Sequence, residues 1–236
     1  MILAGGSARR MGGVNKGLKK FQDSTLIAKV IKRVKDQVNH LAINANRDLD
    51  IFQQMGWEVW SDSPTPFDPT PFEPTTGLGP LSGFLTGLKN CPTPYLMIVP
   101  CDTPLLPLNL VALLSNQMSL TQADICMAVS STDKSLRASS TKNDRHPDRY
   151  EPQVQPTCCL LKISLKDSLE QFLESGGRKV LTWTQNHSCE YVHFRDTLLN
   201  PKRQVDSDTA IQSFVNVNTE QELFELEAVL KTNQDS

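Results

Sequence analysis

Apolar and polar positions along the chain fall into blocks whose period switches between that of a helix and that of a strand. Leu26, Ile27, Val30, Ile31 and Val34 recur at helical spacing, which gathers them on one face and leaves Lys29, Lys32 and Arg33 elsewhere. Ile2 and Leu3 lead straight into a glycine pair, as the end of a buried strand does. HLAIN (40–44) and EVW (58–60) predict short strands, and YLMIVP (95–100) is a nearly continuous apolar run suited to the middle of a parallel sheet. GPLSGFLTGLKN (79–90) predicts a helix with Pro80 in its first turn, where the missing N–H costs little, and LNLVALLSNQ (108–117) predicts another. Further along, DICMAVS (124–130), PTCCLLKI (156–163), VHF (192–194) and FVNVN (214–218) read as strands. SLKDSLEQFLES (164–175) reads as a helix closed by Gly176 and Gly177, and TEQELFELEAVLK (219–231) as a last amphipathic helix. Thr219 and Glu222 have the spacing of a capping box at its start.

Two stretches break the pattern. Residues 63–76 carry five prolines, which exclude regular structure, and residues 131–152 are polar and charged and read as a loop. Both are expected to be surface loops. Strands that alternate with helices at this spacing imply βαβ units and a mostly parallel sheet. With no internal repeat and no evident linker, residues 1–236 are expected to form one domain. Ligands of such sheets bind beyond the carboxyl ends of the strands. The glycine loop after Leu3 and Asp102 after Pro100 both fall there. Met1-Ile2-Leu3 supplies three residues ahead of the loop, so the first strand is expected to be short and weakly paired.

Composition narrows the function classes. At 236 residues, 39% hydrophobic and 21% charged, the chain has the profile of a globular protein with a sizeable core. A net charge of −2 argues against an extended nucleic-acid interface, which needs a basic face. No apolar run suits a membrane span and no secretory signal is visible, so the cytoplasm is the expected compartment. Cys91, Cys101, Cys126, Cys158, Cys159 and Cys189 form no C-x-x-C pair, and adjacent Cys158 and Cys159 would face opposite sides of a strand; reduced, buried thiols are expected rather than a zinc site. His40, His146, His187 and His193 have no metal-ligand spacing.

The opening loop, L-A-G-G-x-x-x-R-M-G-G-x-x-K, matches neither G-x-x-x-x-G-K-[ST] nor G-x-G-x-x-G. Running from a strand toward a helix, it can offer backbone N–H groups to a base or phosphate, with Arg10 and Lys16 reaching phosphate oxygens. From its residues alone, a basic loop with no ligand is the alternative. Arg9 reads as solvated. Asp102 can hold a metal ion or cap the turn before Pro104, and Asp62 can accept from a ligand or form a local turn. Asn44 and Asn46 would lie on opposite sides if their strand persists, which leaves Asn44 to face the ligand. By the same rule Asn216 and Asn218 share a face. Gly176, Arg178 and Lys179 read as a helix end with surface cations.

LAGGSARRMGGVNKGL (3–18), INANR (43–47), GPLSG (79–83), PCDTPLLP (100–107) and FVNVNT (214–219) together resemble, in order and over nearly the whole chain, the molybdenum cofactor guanylyltransferases of the nucleotidyltransferase superfamily. The resemblance implies a Rossmann-like, three-layer α/β/α fold. It implies transfer of GMP from GTP to the terminal phosphate of molybdopterin, with Mg²⁺ and release of pyrophosphate. It further implies that Leu3, Ala4, Gly5 and Gly6 bind the guanosine through backbone groups, that Lys16 contacts phosphates, and that Asn44 and Asp62 bind the nucleotide. Asp102 takes the magnesium position, and Asn216 and Asn218 fall near the metal or second substrate. Such chemistry needs cations rather than a covalent intermediate: Arg10, Lys16 and a metal on Asp102 would stabilise charge developing on pyrophosphate. Proteins of molybdenum insertion and molybdoenzyme maturation are the implied transient partners. Family members usually have several residues ahead of the position of Met1. The alternatives are another base such as CTP, a sugar-phosphate acceptor, or a weakly active module that delivers cofactor.

Overall fold

The computed structural model describes residues 1–5, 15–63, 79–133, 150–194 and 213–232. In chain order these form β1 (Ile2–Leu3), β2 (Lys20–Phe21), β3 (Ser24–Thr25), α1 (Leu26–Val34), β4 (Ala42–Asn44), α2 (Leu49–Gln53), β5 (Glu58–Trp60) and α3 (Pro80–Asn90). There follow β6 (Tyr95–Pro100), α4 (Leu110–Thr121), β7 (Ile125–Asp133), β8 (Tyr150–Lys162), α5 (Lys166–Glu174), α6 (Val180–Thr184), β9 (Cys189–Phe194) and α7 (Glu220–Thr232). Seven strands make one sheet in the order β5-β4-β1-β6-β8-β7-β9. All its pairings are parallel except those of β8, which runs against both β6 and β7.

Alternation along the strands builds the two faces. Met97 and Val99 join α1 and α4 in one core, with Ile27, Val30, Ile31, Leu110 and Leu114. Leu96 and Ile98 join α3, α5 and α6 in the other, where Phe84 meets the ring of Trp183 edge-on at 6.5 Å. Cys158 lies in the first core and Cys159 in the second, as neighbours on a strand must. Helices therefore cover both faces, giving the three-layer α/β/α arrangement.

β1 is as short as expected but not weakly held. Ala4 N donates to Asn44 O at 2.8 Å, Cys101 N donates to Leu3 O at 3.1 Å, and Val99 N donates to Met1 O at 3.1 Å. Bonds on both sides compensate for its length. The chain steps outward from β1 to β4 and β5, then crosses back to β6 on the other flank of β1. That reversal puts a crevice at the carboxyl ends of β1 and β6.

Two further expectations are corrected. FVNVN is not a strand: Phe214 and Val217 are buried in different cores, and Val217 N donates to Asp102 O at 3.0 Å. The apolar residues here plug gaps instead of alternating on a ladder. Residues 131–133 and 150–152, expected in a loop, extend β7 and β8 as a two-stranded ribbon in which Asp133 pairs with Tyr150. Backbone bonds alone can sustain such a ribbon, so its polar sequence hid it. The register jumps between Met127 and Ala128, where β8 carries Pro156, a residue that cannot donate to a ladder. Helices α2 and α6 and the hairpin β2–β3 were too short to leave a period.

Candidate active site

Two polar clusters occupy the carboxyl edge of the sheet around β1. The first is built by the turn that follows β6, the 3₁₀ turn Lys16–Leu18 and the segment before α7. Lys16 Nζ donates to Asp102 Oδ2 at 2.5 Å and to Asn218 Oδ1 at 2.6 Å. The side chains of Lys16 and Asp102 are 22% and 17% exposed, enough to meet a ligand yet sheltered from full screening. Thr103 Oγ1 donates to Asn216 Oδ1 at 2.5 Å and lies 3.4 Å from Asp102 Oδ1.

Buried Asn15 aims Lys16. Its Nδ2 donates to Ala4 O at 3.3 Å while its Oδ1 accepts from Gly17 N at 3.2 Å, tying the end of β1 to the turn that carries the lysine. A Cβ on Gly17 would stand 3.2 Å from Cys101 Cβ, so the turn lies directly on the residue before Asp102. Burial, with the Asp102 carboxylate adjacent, pushes the Cys101 thiol up to about 12, so it stays protonated and inert.

The second cluster surrounds Asp62. Its Oδ1 accepts from Asn44 Nδ2 at 2.7 Å and from Thr86 Oγ1 at 2.8 Å, and its Oδ2 accepts from Asn46 Nδ2 at 2.9 Å. Asp62 N donates back to Asn46 Oδ1 at 2.8 Å. Both asparagines therefore reach the same carboxylate. The opposite-sides expectation is overturned because β4 ends at Asn44 and the chain turns before Asn46. Asn44 is 2% exposed, and its amide also donates to Trp60 O at 3.0 Å, so it stands behind Asp62 as a support. Positions for a Cβ on Gly5 and on Gly83 lie 3.5 Å and 2.5 Å from Asn44 Oδ1. Gly5 and α3 thus close on the same amide.

Of the residues singled out in the sequence, Leu3, Ala4, Gly5, Lys16, Asn44, Asp62, Asp102, Asn216 and Asn218 line these two clusters. Gly6 and Arg10 lie outside the described residues. Arg178 Nη1 donates to Leu173 O at 2.9 Å and Gly177 O at 2.7 Å, satisfying the end of α5. Sequence reasoning passed over Asn15, Thr103 and Thr86. Ser82 and Thr86, one turn apart in the buried, otherwise apolar and glycine-rich run 81–88 of α3, were the available signal for the last.

The MobA-like NTP transferase domain family matches residues 1–190. A molybdenum cofactor guanylyltransferase of Acidovorax ebreus is 38% identical over 229 residues, 97% of this chain and 94% of that protein. One of Bordetella pertussis is 37% identical over 228 residues, covering 97% and 95%. Among solved structures, molybdopterin-guanine dinucleotide biosynthesis protein A from Archaeoglobus fulgidus superposes with a TM-score of 0.64 at 18% identity, covering 98% of this chain and 97% of that one. The 2-C-methyl-D-erythritol 4-phosphate cytidylyltransferase from Thermus thermophilus gives 0.61 at 12% identity, covering 98% and 97%. At such identities the two structures speak for the fold, while the two sequence relatives carry the closer kinship. The chain belongs to the molybdenum cofactor guanylyltransferases, within the MobA-like NTP transferases.

Proposed function

We propose that this chain transfers GMP from GTP to the terminal phosphate of molybdopterin, forming the guanine dinucleotide cofactor and releasing pyrophosphate. The observation that carries the reading is the meeting of Lys16, Asp102 and Asn218 at the carboxyl ends of β1 and β6. Leu3, Ala4, Gly5 and Gly6 offer backbone groups to the guanosine part, and Asp62, held by Asn44, accepts hydrogen bonds from it. Lys16 and Arg10 balance the phosphates. Asn216 and Asn218 border the side on which the acceptor enters.

Asp102 suits Mg²⁺. Its neighbours supply oxygen donors, Asn218 Oδ1 among them, and a cation, the Lys16 ammonium, already rests on its Oδ2. Mg²⁺ takes one or two carboxylates together with phosphate oxygens and waters, so a single aspartate suffices. Bound there, the ion would neutralise triphosphate charge and polarise the α-phosphorus. The chain's own groups then orient GTP and disperse the charge that builds on the leaving pyrophosphate. An acceptor phosphate is ionised already, so no strong general base is called for.

Pyrophosphate release measured with GTP, ATP, CTP and UTP, in the presence and absence of molybdopterin, tests the reading. Acceptor-dependent release with GTP alone is expected. Release with CTP in its place would change the product, and no release from folded protein would leave a delivery module.

A further inference from the structure

Three side chains from two segments converge on Asp62, and the one from α3 has no part in the function described so far. Thr86 is 7% exposed, on the buried side of an eleven-residue helix. A helical threonine commonly turns its hydroxyl back to the carbonyl one turn earlier. Here Oγ1 is directed away from the helix, onto Asp62 Oδ1 at 2.8 Å. A carboxylate on a segment just past a strand can swing about two torsions unless it is gripped. Asn44 and Asn46 grip it from the β4 side, and Thr86 grips it from α3. Donors from two separate elements fix a direction that donors from one element leave free.

We propose that Thr86 is a positioning residue for nucleotide recognition: its hydroxyl holds the Asp62 carboxylate in the orientation that receives the guanosine part of GTP. The inference rests on the reading that Asp62 contacts the nucleotide. Hydrogen bonds to a charged group are stronger than neutral ones, so the loss of this one should be measurable.

Thr86→Val keeps the shape of the side chain and removes the hydroxyl, while Thr86→Ser keeps the hydroxyl. GTP and pyrophosphate binding are measured by calorimetry, and kcat and KM by turnover, with Asp62→Asn and the Thr86→Val/Asp62→Asn double variant alongside. Thr86→Val should weaken GTP about five- to twentyfold and raise its KM in step, with kcat within about twofold of wild type. Pyrophosphate, which has no guanosine, should bind as before, and Thr86→Ser should bind GTP nearly as wild type does. The double variant should be no weaker than Asp62→Asn alone. Unchanged GTP affinity in Thr86→Val overturns the proposal. So does equal loss of GTP and pyrophosphate, which marks a structural defect, or additivity in the double variant, or a Thr86→Ser as weak as Thr86→Val. If Asp62→Asn itself binds GTP normally, the Asp62 assignment falls and this inference with it. A neutral Thr86→Val beside a weak Asp62→Asn removes Thr86 alone.

Discussion

Gly83 and Gly87 sit one turn apart on α3 and offer a matched pair of perturbations. Alanine at either site gains about 1 kcal/mol of helix propensity. The neighbours differ. A Cβ on Gly83 would stand 2.5 Å from Asn44 Oδ1 and 2.7 Å from Leu3 Cδ2. Asn44 cannot retreat cheaply, because it is buried and its amide is bonded to Trp60 O and Asp62. A Cβ on Gly87 would meet Met1 Cε at 2.6 Å and Leu96 Cδ2 at 2.7 Å, the far ends of flexible side chains. Overpacking costs about 1–3 kcal/mol where neighbours are fixed and less where they can turn aside. Gly83→Ala should therefore be net destabilising by up to about 2 kcal/mol and Gly87→Ala close to neutral, which separates their melting temperatures by about 2–6 °C in a chain of this size. The displaced Asn44 also drags Asp62, so Gly83→Ala should weaken GTP binding about tenfold, the loss expected when a hydrogen bond to a charged group is misaligned. Gly87→Ala should leave that affinity alone. Thermal unfolding and calorimetric titration with GTP read both effects. A Gly83→Ala protein that melts at or above Gly87→Ala, or binds GTP as wild type does, refutes the wedge between α3 and the Asn44–Asp62 cluster.

Asp102→Ala should abolish Mg²⁺-dependent turnover, by about a hundredfold or more, in a protein that still melts cooperatively; retained turnover would remove the metal assignment. Lys16→Met should lower kcat about 10²–10³-fold with a smaller change in KM for GTP, read by steady-state kinetics, because its charge matters most as pyrophosphate leaves. A loss confined to KM would make Lys16 a ground-state contact. Alkali should destabilise the fold through its buried thiols: burial pushes Cys101 up to about 12 and raises Cys158 and Cys159 as well. Each folded-state pKa lies above the unfolded value of 9.0, so their stabilisation is complete below pH 9 and drains as the pH climbs toward the folded values. The slope is about 1.4 kcal/mol per pH unit for each thiol, so urea midpoints should fall steeply between about pH 9 and pH 11 and stay flat, as far as thiols go, below about pH 8. Thr219→Ala should cost about 1 kcal/mol by breaking the capping box, in which Thr219 Oγ1 accepts from Glu222 N at 3.1 Å and Glu222 Oε2 accepts from Thr219 N at 2.9 Å; the urea midpoint reads it.

The layers of the fold were legible because periods of two and 3.6 report which face a residue buries. YLMIVP gave β6 at its full length, and the stripe from Leu26 to Val34 gave α1 at its full length. FVNVN misled because its alternation is real but answers to two different cores, and nothing in the sequence says that Val217 packs with Phe21 and Leu26 while Phe214 packs with Phe194. Polar partners were harder still. Asp62 and Asp102 stood out through the segments that contain them, whereas Thr86 and Thr103 matter only for what they touch. A threonine inside an apolar helix and one after a strand-end aspartate carry no periodicity. Their roles exist only once α3 and the segment before α7 are folded against the sheet.

The placement of that segment bears on how the site is assembled. Lys16 and Asn218 are 202 positions apart and Lys16 and Asp102 are 86 apart, yet one ammonium bonds to both. Residues 216–218 lie beyond the stretch matched by the domain family, and they arrive because α7 is anchored elsewhere. Leu226 packs with Phe21, Leu26 and Leu105, Lys19 Nζ pairs with Glu220 at 2.5 Å, and Gln22 N donates to Glu227 at 2.6 Å. Most of these anchors fall on the hairpin β2–β3 or the residues beside it, immediately after the turn that carries Lys16. The last helix therefore docks on the same short stretch that presents Lys16, and it brings Asn218 onto the ammonium that also bonds to Asp102. Exposed pairs such as Lys19–Glu220 add little stability alone. Their geometric effect is larger, since they set the register at which Asn218 meets Lys16. A site closed by such remote residues depends on the docking of α7 as much as on the sheet that carries Asp102.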